Sequence, residues 1–117
     1  MIKQKGASLT LILIIINSAV FLITLPILYS KPEYVKYLAL QPSAFLQGQY
    51  FWTIITNMFM HAGAWHLIMN MISLIFLGGF IEKIIGKKRF LFFYILEGIF
   101  AALFFVLTYY LFNIDMN

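Results

Sequence analysis

Apolar residues run along this chain in three long blocks, covering residues 9–29, 65–81 and 90–112. About 20 consecutive apolar residues are needed to cross roughly 30 Å of hydrocarbon. The pattern therefore predicts three transmembrane helices, the second near the lower length limit and crossing with little tilt. Between the first two blocks, residues 30–63 mix Lys31, Pro32, Glu33, Lys36, Gln41, Pro42, Gln47, Gly48 and Gln49 with aromatic residues. A plain connection of that length is unusual in a compact domain. The composition suits short helices lying in the headgroup region, with Tyr and Trp as interfacial anchors. The expected fold class is all-α membrane: three transmembrane helices plus interfacial loop helices, with residues 1–117 forming a single membrane domain.

Polar and small residues within the blocks refine this outline. Asn17, Ser18 and Thr24 interrupt the first span and predict a face packed on protein rather than lipid. Pro26 is expected to kink or terminate that helix. The run from Gly78-Gly79 through Glu82 and Gly86 to Arg89 reads as a short charged turn, which makes the second and third spans antiparallel neighbours. Gly98 and Ala102 form a small-xxx-small pair that lets another helix approach closely. The chain shows no internal repeat and no low-complexity tract.

Composition agrees with a polytopic membrane protein. The chain is 63% hydrophobic and 10% charged, with a mean hydropathy of +0.95. A soluble domain is nearer half apolar and a quarter charged. The absence of cysteine excludes disulfides, thiolate metal sites and cysteine nucleophiles. The net charge of +4 resides beside the apolar blocks, at Lys3 and Lys5 and then at Lys83, Lys87, Lys88 and Arg89. That placement fits loops facing anionic lipid, so the bilayer is the expected partner and nucleic acid is not. Lys3 and Lys5 resemble the start of a signal peptide. However, the apolar run after them is too long, and no small-x-small cleavage site follows, so a retained first helix is expected. An N-terminus inside places six of the eight basic residues in the cytoplasm and leaves Lys31 and Lys36 outside. The expected topology is a multi-pass protein of the plasma membrane with a cytoplasmic N-terminus and His66 near the outer surface.

The candidate chemistry lies at the start of the second span, in His61-Ala-Gly-Ala-Trp-His66-Leu-Ile-Met-Asn70. His66 and Asn70 are spaced i, i+4, so on a helix they project from one face about 40° apart. Polar side chains in an apolar run are costly without partners or work. Two readings stand side by side. Both residues can donate hydrogen bonds to a developing oxyanion, with the helix N-terminus adding a favourable field. Alternatively, both are structural and bond neighbouring helices. His61 and His66 are five residues apart with no carboxylate nearby in sequence, so metal or haem ligation is not expected and no cofactor is implied.

Several motifs taken in order resemble the rhomboid family of intramembrane serine proteases. They are Trp52 in Tyr50-Phe51-Trp52-Thr53, then Asn57-Met-Phe-Met-His61, then Trp65-His66-Leu-Ile-Met-Asn70-Met71. Leu77-Gly78-Gly79, Glu82-Lys83 and Gly86 follow. The resemblance covers most of the chain and implies the first half of a six-helix core. It implies hydrolysis of transmembrane segments of protein substrates by a serine assisted by a histidine. Carried over by position, His66 and Asn70 correspond to oxyanion-hole residues and His61 to an upstream, loop-ordering histidine. Trp52, Gly78 and Gly79 correspond to supporting positions.

Three departures qualify the resemblance. Thr53 stands where the family commonly has arginine, so the loop is expected to be anchored differently. Glu97 stands where the family has a small or weakly polar residue. It is expected to pair with a neighbouring helix or lie shallow in the membrane rather than transfer protons. Rhomboids carry their nucleophile in a Gly-x-Ser-Gly turn on the fourth helix and a histidine on the sixth. None of Ser8, Ser18, Ser30, Ser43 and Ser73 has that context, and the only histidines are His61 and His66. The chain is thus expected to be truncated before the catalytic-serine helix, to be inactive alone, and to need a missing second half as partner. The competing expectation is a non-catalytic rhomboid-like protein that holds other helices through Gly98, Ala102 and the loop.

Overall fold

The computed structural model describes residues 8–112, and among them every regular element is helical. Lys3, Lys5 and the chain end at Asn117 lie outside these residues. Helix α1 spans Leu9–Ser30. A 3₁₀ turn at Pro32–Tyr37, α2 at Pro42–Leu46, α3 at Thr53–Thr56 and a second 3₁₀ turn at Asn57–Phe59 make up the expected short helices of the loop. Helix α4, Ala64–Ser73, runs through a π turn at Leu74–Gly78 into α5, Gly79–Ile85. Helix α6 spans Lys87–Phe112. Three segments are long and apolar enough to cross a membrane: Leu9–Ser30, Ala64–Ile85 and Lys87–Phe112. Most of their apolar side chains are exposed, as helices bathed in lipid require.

Two sequence expectations are narrowed here. Pro26 does not end α1, which continues to Ser30. Proline has no N–H, so the Leu22 carbonyl lacks its usual donor. The flanking hydroxyls bond within the same helix: Thr24 Oγ1 donates to the Val20 carbonyl at 2.7 Å and Ser30 Oγ to that of Pro26 at 2.8 Å. The charged turn predicted over residues 78–89 is confined to its middle. The second span stays helical to Ile85, and Gly86 alone reverses the chain, with φ 89°. That positive φ suits glycine, and one residue suffices because the Phe90 N–H already bonds the Gly86 carbonyl at 3.0 Å.

Glu82, placed by sequence in that turn, is instead almost completely buried. Its carboxylate accepts hydrogen bonds from the Leu9 and Thr10 backbone N–H groups, both at 2.8 Å. It also accepts from the hydroxyls of Thr10 at 2.8 Å and Ser8 at 3.0 Å. The first turn of α1 holds no acidic residue of its own. Glu82 supplies the anion that its orphan donors and positive end favour, across more than 70 residues of sequence. Gly78, one turn earlier on the same face, lets the third span approach: a Cβ there would sit 3.1 Å from the Phe90 ring. Around Gly79 the space is open.

The loop helices pack on α6. Leu40, Ala102 and Val106 form a small core, covered by Phe45, Ile54 and Phe105. The close approach expected at Gly98 and Ala102 is made here by this loop. A Cβ added at Gly98 would overlap Sδ and Cε of Met58 and lie 2.7 Å from its Cγ. The small residues admit this chain's own loop.

Candidate functional site

The loop is tied down residue by residue before it reaches His61. Trp52 is exposed, and its Nε1–H donates to the Tyr37 carbonyl at 2.8 Å, fastening α3 to the first 3₁₀ turn. Tyr50 packs edge-on against Trp52 with ring centroids 5.6 Å apart. Thr53, in the place of the family's arginine, is buried and donates to the Tyr50 carbonyl at 2.6 Å. This local bond holds Tyr50 in its left-handed conformation, φ 52°. Asn57 Oδ1 accepts from the Leu40 N–H at 3.2 Å, and Thr56 donates to the Leu38 carbonyl at 2.6 Å.

His61 then joins the loop to the first and third spans. Its Nε2 lies 3.1 Å from Oδ1 of Asn17, a side chain only 1% exposed. The Asn17 amide nitrogen donates to the Leu13 carbonyl at 2.8 Å and to the Tyr94 hydroxyl at 3.2 Å. Both amide hydrogens are thereby used, so Oδ1 accepts and His61 Nε2 carries a proton. His61 Nδ1 is buried and unpartnered. Burial first, and the neighbouring His66 second, hold the His61 pKa below its ordinary 6.5. Between the folded value and 6.5 the folded chain binds fewer protons than the unfolded chain. Stability therefore rises with pH through that window and is lost as pH falls through it. Thermal unfolding in detergent should show this loss between pH 7 and pH 5 and should show less of it in His61→Gln. Equal losses in the two proteins would assign the effect to another group.

His66 and Asn70 lie on the first turns of α4, both exposed. No side chain caps this helix, whose N-cap residue is Gly63, so its first-turn N–H groups keep their positive field. The rings of His61 and His66 meet edge to face, with centroids 5.3 Å apart. His66 Nδ1 accepts the Ala62 N–H at 3.3 Å. In the neutral imidazole the proton then resides on Nε2, which is left as a donor. Asn70 Nδ2 gives one hydrogen to the His66 carbonyl at 3.1 Å and keeps the other.

His61, His66, Asn70, Tyr94 and Glu97 line one open cavity of about 750 Å³, bounded by α1, the loop, α4 and α6. A second cavity of about 540 Å³ shares His61, Asn70, Tyr94 and Glu97 and reaches Ser73. Among the described residues no serine hydroxyl bonds a histidine. Ser8 is held by Glu82 and Ser30 by the Pro26 carbonyl. Glu97 has no hydrogen-bond or ion-pair partner among the described residues and lies ten residues into α6. Sequence reading singled out Asn17 only as a polar interruption, missed Tyr94, and named Glu82 only in the charged turn and among the family motifs. A lone amide in the middle of an apolar span was the available signal for the first. The i, i+4 spacing of Gly78 and Glu82 was the signal for the last.

A family model for the Rhomboid domain matches residues 48–114. The chain is 39% identical over 64 residues to Inactive RHOMBOID-like protein 8 of Arabidopsis thaliana. That stretch covers 55% of this chain and 18% of the relative, so the match spans less than a fifth of that protein's length. No solved structure matches the chain. The model match runs from the interfacial loop through the third span and takes in more than half of the chain, which is therefore an integral membrane member of the rhomboid family.

Proposed function

We propose that residues 1–117 form a single membrane domain, the first half of a six-helix core. In this reading they supply the oxyanion-hole side of an intramembrane serine endopeptidase that cleaves transmembrane segments of other proteins. His66 Nε2–H and the free Asn70 amide hydrogen act as the donors, and His61 orders the loop above them. The nucleophilic serine and its histidine base come from sequence outside these residues, in the same polypeptide or in a partner. The observation that carries the reading is the pairing of these two donors on one cavity wall. The Ala62 N–H to His66 Nδ1 bond selects the tautomer that leaves Nε2–H available. A fluorophosphonate labels only an activated serine. The purified 117-residue chain should stay unlabelled. Co-expression with a rhomboid second half that carries the serine and histidine should give label on that half. Specific labelling of the chain by itself would overturn the assignment, because one of its own five serines would then be the nucleophile.

A second reading is a non-catalytic rhomboid-like protein that binds transmembrane helices. The name of the Arabidopsis relative, an inactive rhomboid-like protein, favours it. No label after co-expression, with the two halves shown to assemble, would select this reading.

The protein spans its membrane in either case with its N-terminus in the cytoplasm. The support is the six-to-two bias of basic residues. An impermeant maleimide applied to intact cells should label a cysteine placed at Gln47 and spare one placed at Gly86. The reverse pattern would invert the topology.

A further inference from the structure

The cations of this chain are placed in two ways. Lys31 and Lys36 lie over the rings of Tyr34 and Tyr37, at 5.7 and 5.2 Å. Lys83, Lys88 and Arg89 are exposed and have no hydrogen-bond, ion-pair or ring partner among the described residues. These three flank Gly86, which joins two segments long and apolar enough to cross a membrane, Ala64–Ile85 and Lys87–Phe112. They therefore sit at the headgroup depth of one leaflet, whichever way the protein is oriented. The turn that carries them is pinned on both sides. The Gly86 N–H bonds the Glu82 carbonyl at 2.9 Å, and the Phe90 N–H bonds the Gly86 carbonyl at 3.0 Å. Phe90 itself is buried, with its ring against Gly78 of the second span.

Acids do not balance this cluster. Glu82 is buried and directed at the start of α1, and the first turn of α6 holds no acidic residue. Nor do Lys88 and Arg89 serve the helix they begin, because a helix N-terminus is its positive end and disfavours cations. Arginine holds phosphate oxygens two at a time, and lysine adds a point charge of looser geometry. At headgroup depth, phosphate is the anion always within reach. Three cations exceed the single charge of a simple anionic headgroup and suit one with two phosphates. We infer that Lys83, Lys88 and Arg89 bind one phospholipid whose headgroup carries two phosphates. On the topology proposed above, this lipid lies in the cytoplasmic leaflet. A charge bias that merely orients the protein holds no particular lipid, whereas a bound lipid depends on these side chains and saturates at one copy. The cluster lies at the opposite end of the second span from His66 and Asn70, so the inference is independent of any hydrolysis.

Native mass spectrometry of the full chain in a non-ionic detergent counts bound lipids one by one. Diphosphatidylglycerol should give a single saturable adduct, phosphatidylglycerol should bind about fivefold more weakly, and phosphatidylcholine should bind weakest. That factor is the scale of one charge at an anionic lipid surface. Raising the ammonium acetate concentration should shrink the preference, because charge and not the extra acyl chains produces it. Lys83→Gln and Arg89→Gln should each weaken the adduct about fivefold, and Arg89→Lys should weaken it less. Lys31→Gln combined with Lys36→Gln should leave it unchanged. Equal affinity for the two anionic lipids overturns the inference, as do adducts that accumulate without a saturating first copy. A preference that salt does not alter, or an equal loss in the Lys31 and Lys36 variant, also overturns it. Displacement of the lipid by an equal concentration of inorganic pyrophosphate would assign the cluster to a soluble anion instead. The lipid and salt comparisons on the unmodified chain decide the matter even if a variant fails to fold.

Discussion

Asn70→Ala, made in an assembled form that hydrolyses a transmembrane substrate, is expected to lower kcat by about 10²–10³ with little change in KM. Loss of a single oxyanion donor typically costs about 3–4 kcal/mol of transition-state stabilisation. The split between the two constants follows from what the amide does. Its free hydrogen meets a charge that exists only after attack on the carbonyl, so ground-state binding is spared. His66→Ala should do the same and should also release the Ala62 N–H from its bond at 3.3 Å. His66→Gln should fall short of the wild type as well, because glutamine cannot both accept from Ala62 through Nδ1 geometry and aim Nε2–H into the cavity. Near-normal turnover in both alanine variants would return the pair to a purely structural role. The measurement is single-turnover cleavage of a model substrate in proteoliposomes, where binding and chemistry separate.

Glu82→Ala is expected to cost about 3 kcal/mol or more of stability in mixed micelles. A hydrogen bond to a charged group is worth about 1.5–3 kcal/mol, and four donors lose their acceptor together. The total is less than the sum because the exposed Ser8 end of α1 can recruit water. Glu82→Gln keeps one good acceptor and should cost less. Thr10→Val removes only one of the four bonds and should cost about 1 kcal/mol. Titration of helix content with a denaturing detergent reads all three. A loss below about 1 kcal/mol for Glu82→Ala would mean that the helix end is satisfied without the carboxylate. The residue is 2% exposed, so a charge reversal at this position should prevent the first two spans from joining at all.

The three spans, the short loop helices and the shared face of His66 and Asn70 were legible in the residues themselves. Bilayer thickness demands apolar runs of a certain length, and helix geometry places residues four apart on one side. Both are local properties, readable from order along the chain. The interruption at Asn17 was equally visible, and it does mark a face against protein. What Asn17 bonds was not visible, since its partners His61 and Tyr94 lie 44 and 77 residues away. Glu82 shows the same limit more sharply. Beside Lys83 and near Gly86 it has the local character of a solvated turn, yet its partners are the first residues of α1. Periodicity reports which residues share a face and is silent on what lies opposite that face.

The small pair at Gly98 and Ala102 illustrates the other half of the division. Its spacing alone established that something approaches α6 closely, because only small residues leave room for it. Only the tertiary structure decided that the neighbours are Met58 and Leu40 of the interfacial loop. The same holds for the candidate site. Sequence placed two polar side chains at the start of a helix. The Ala62 N–H, brought to His66 Nδ1 by the turn before α4, decided which imidazole nitrogen carries the proton. Apolar length and helical spacing are written into consecutive residues, whereas hydrogen-bond partners across the fold exist only once the helices have packed.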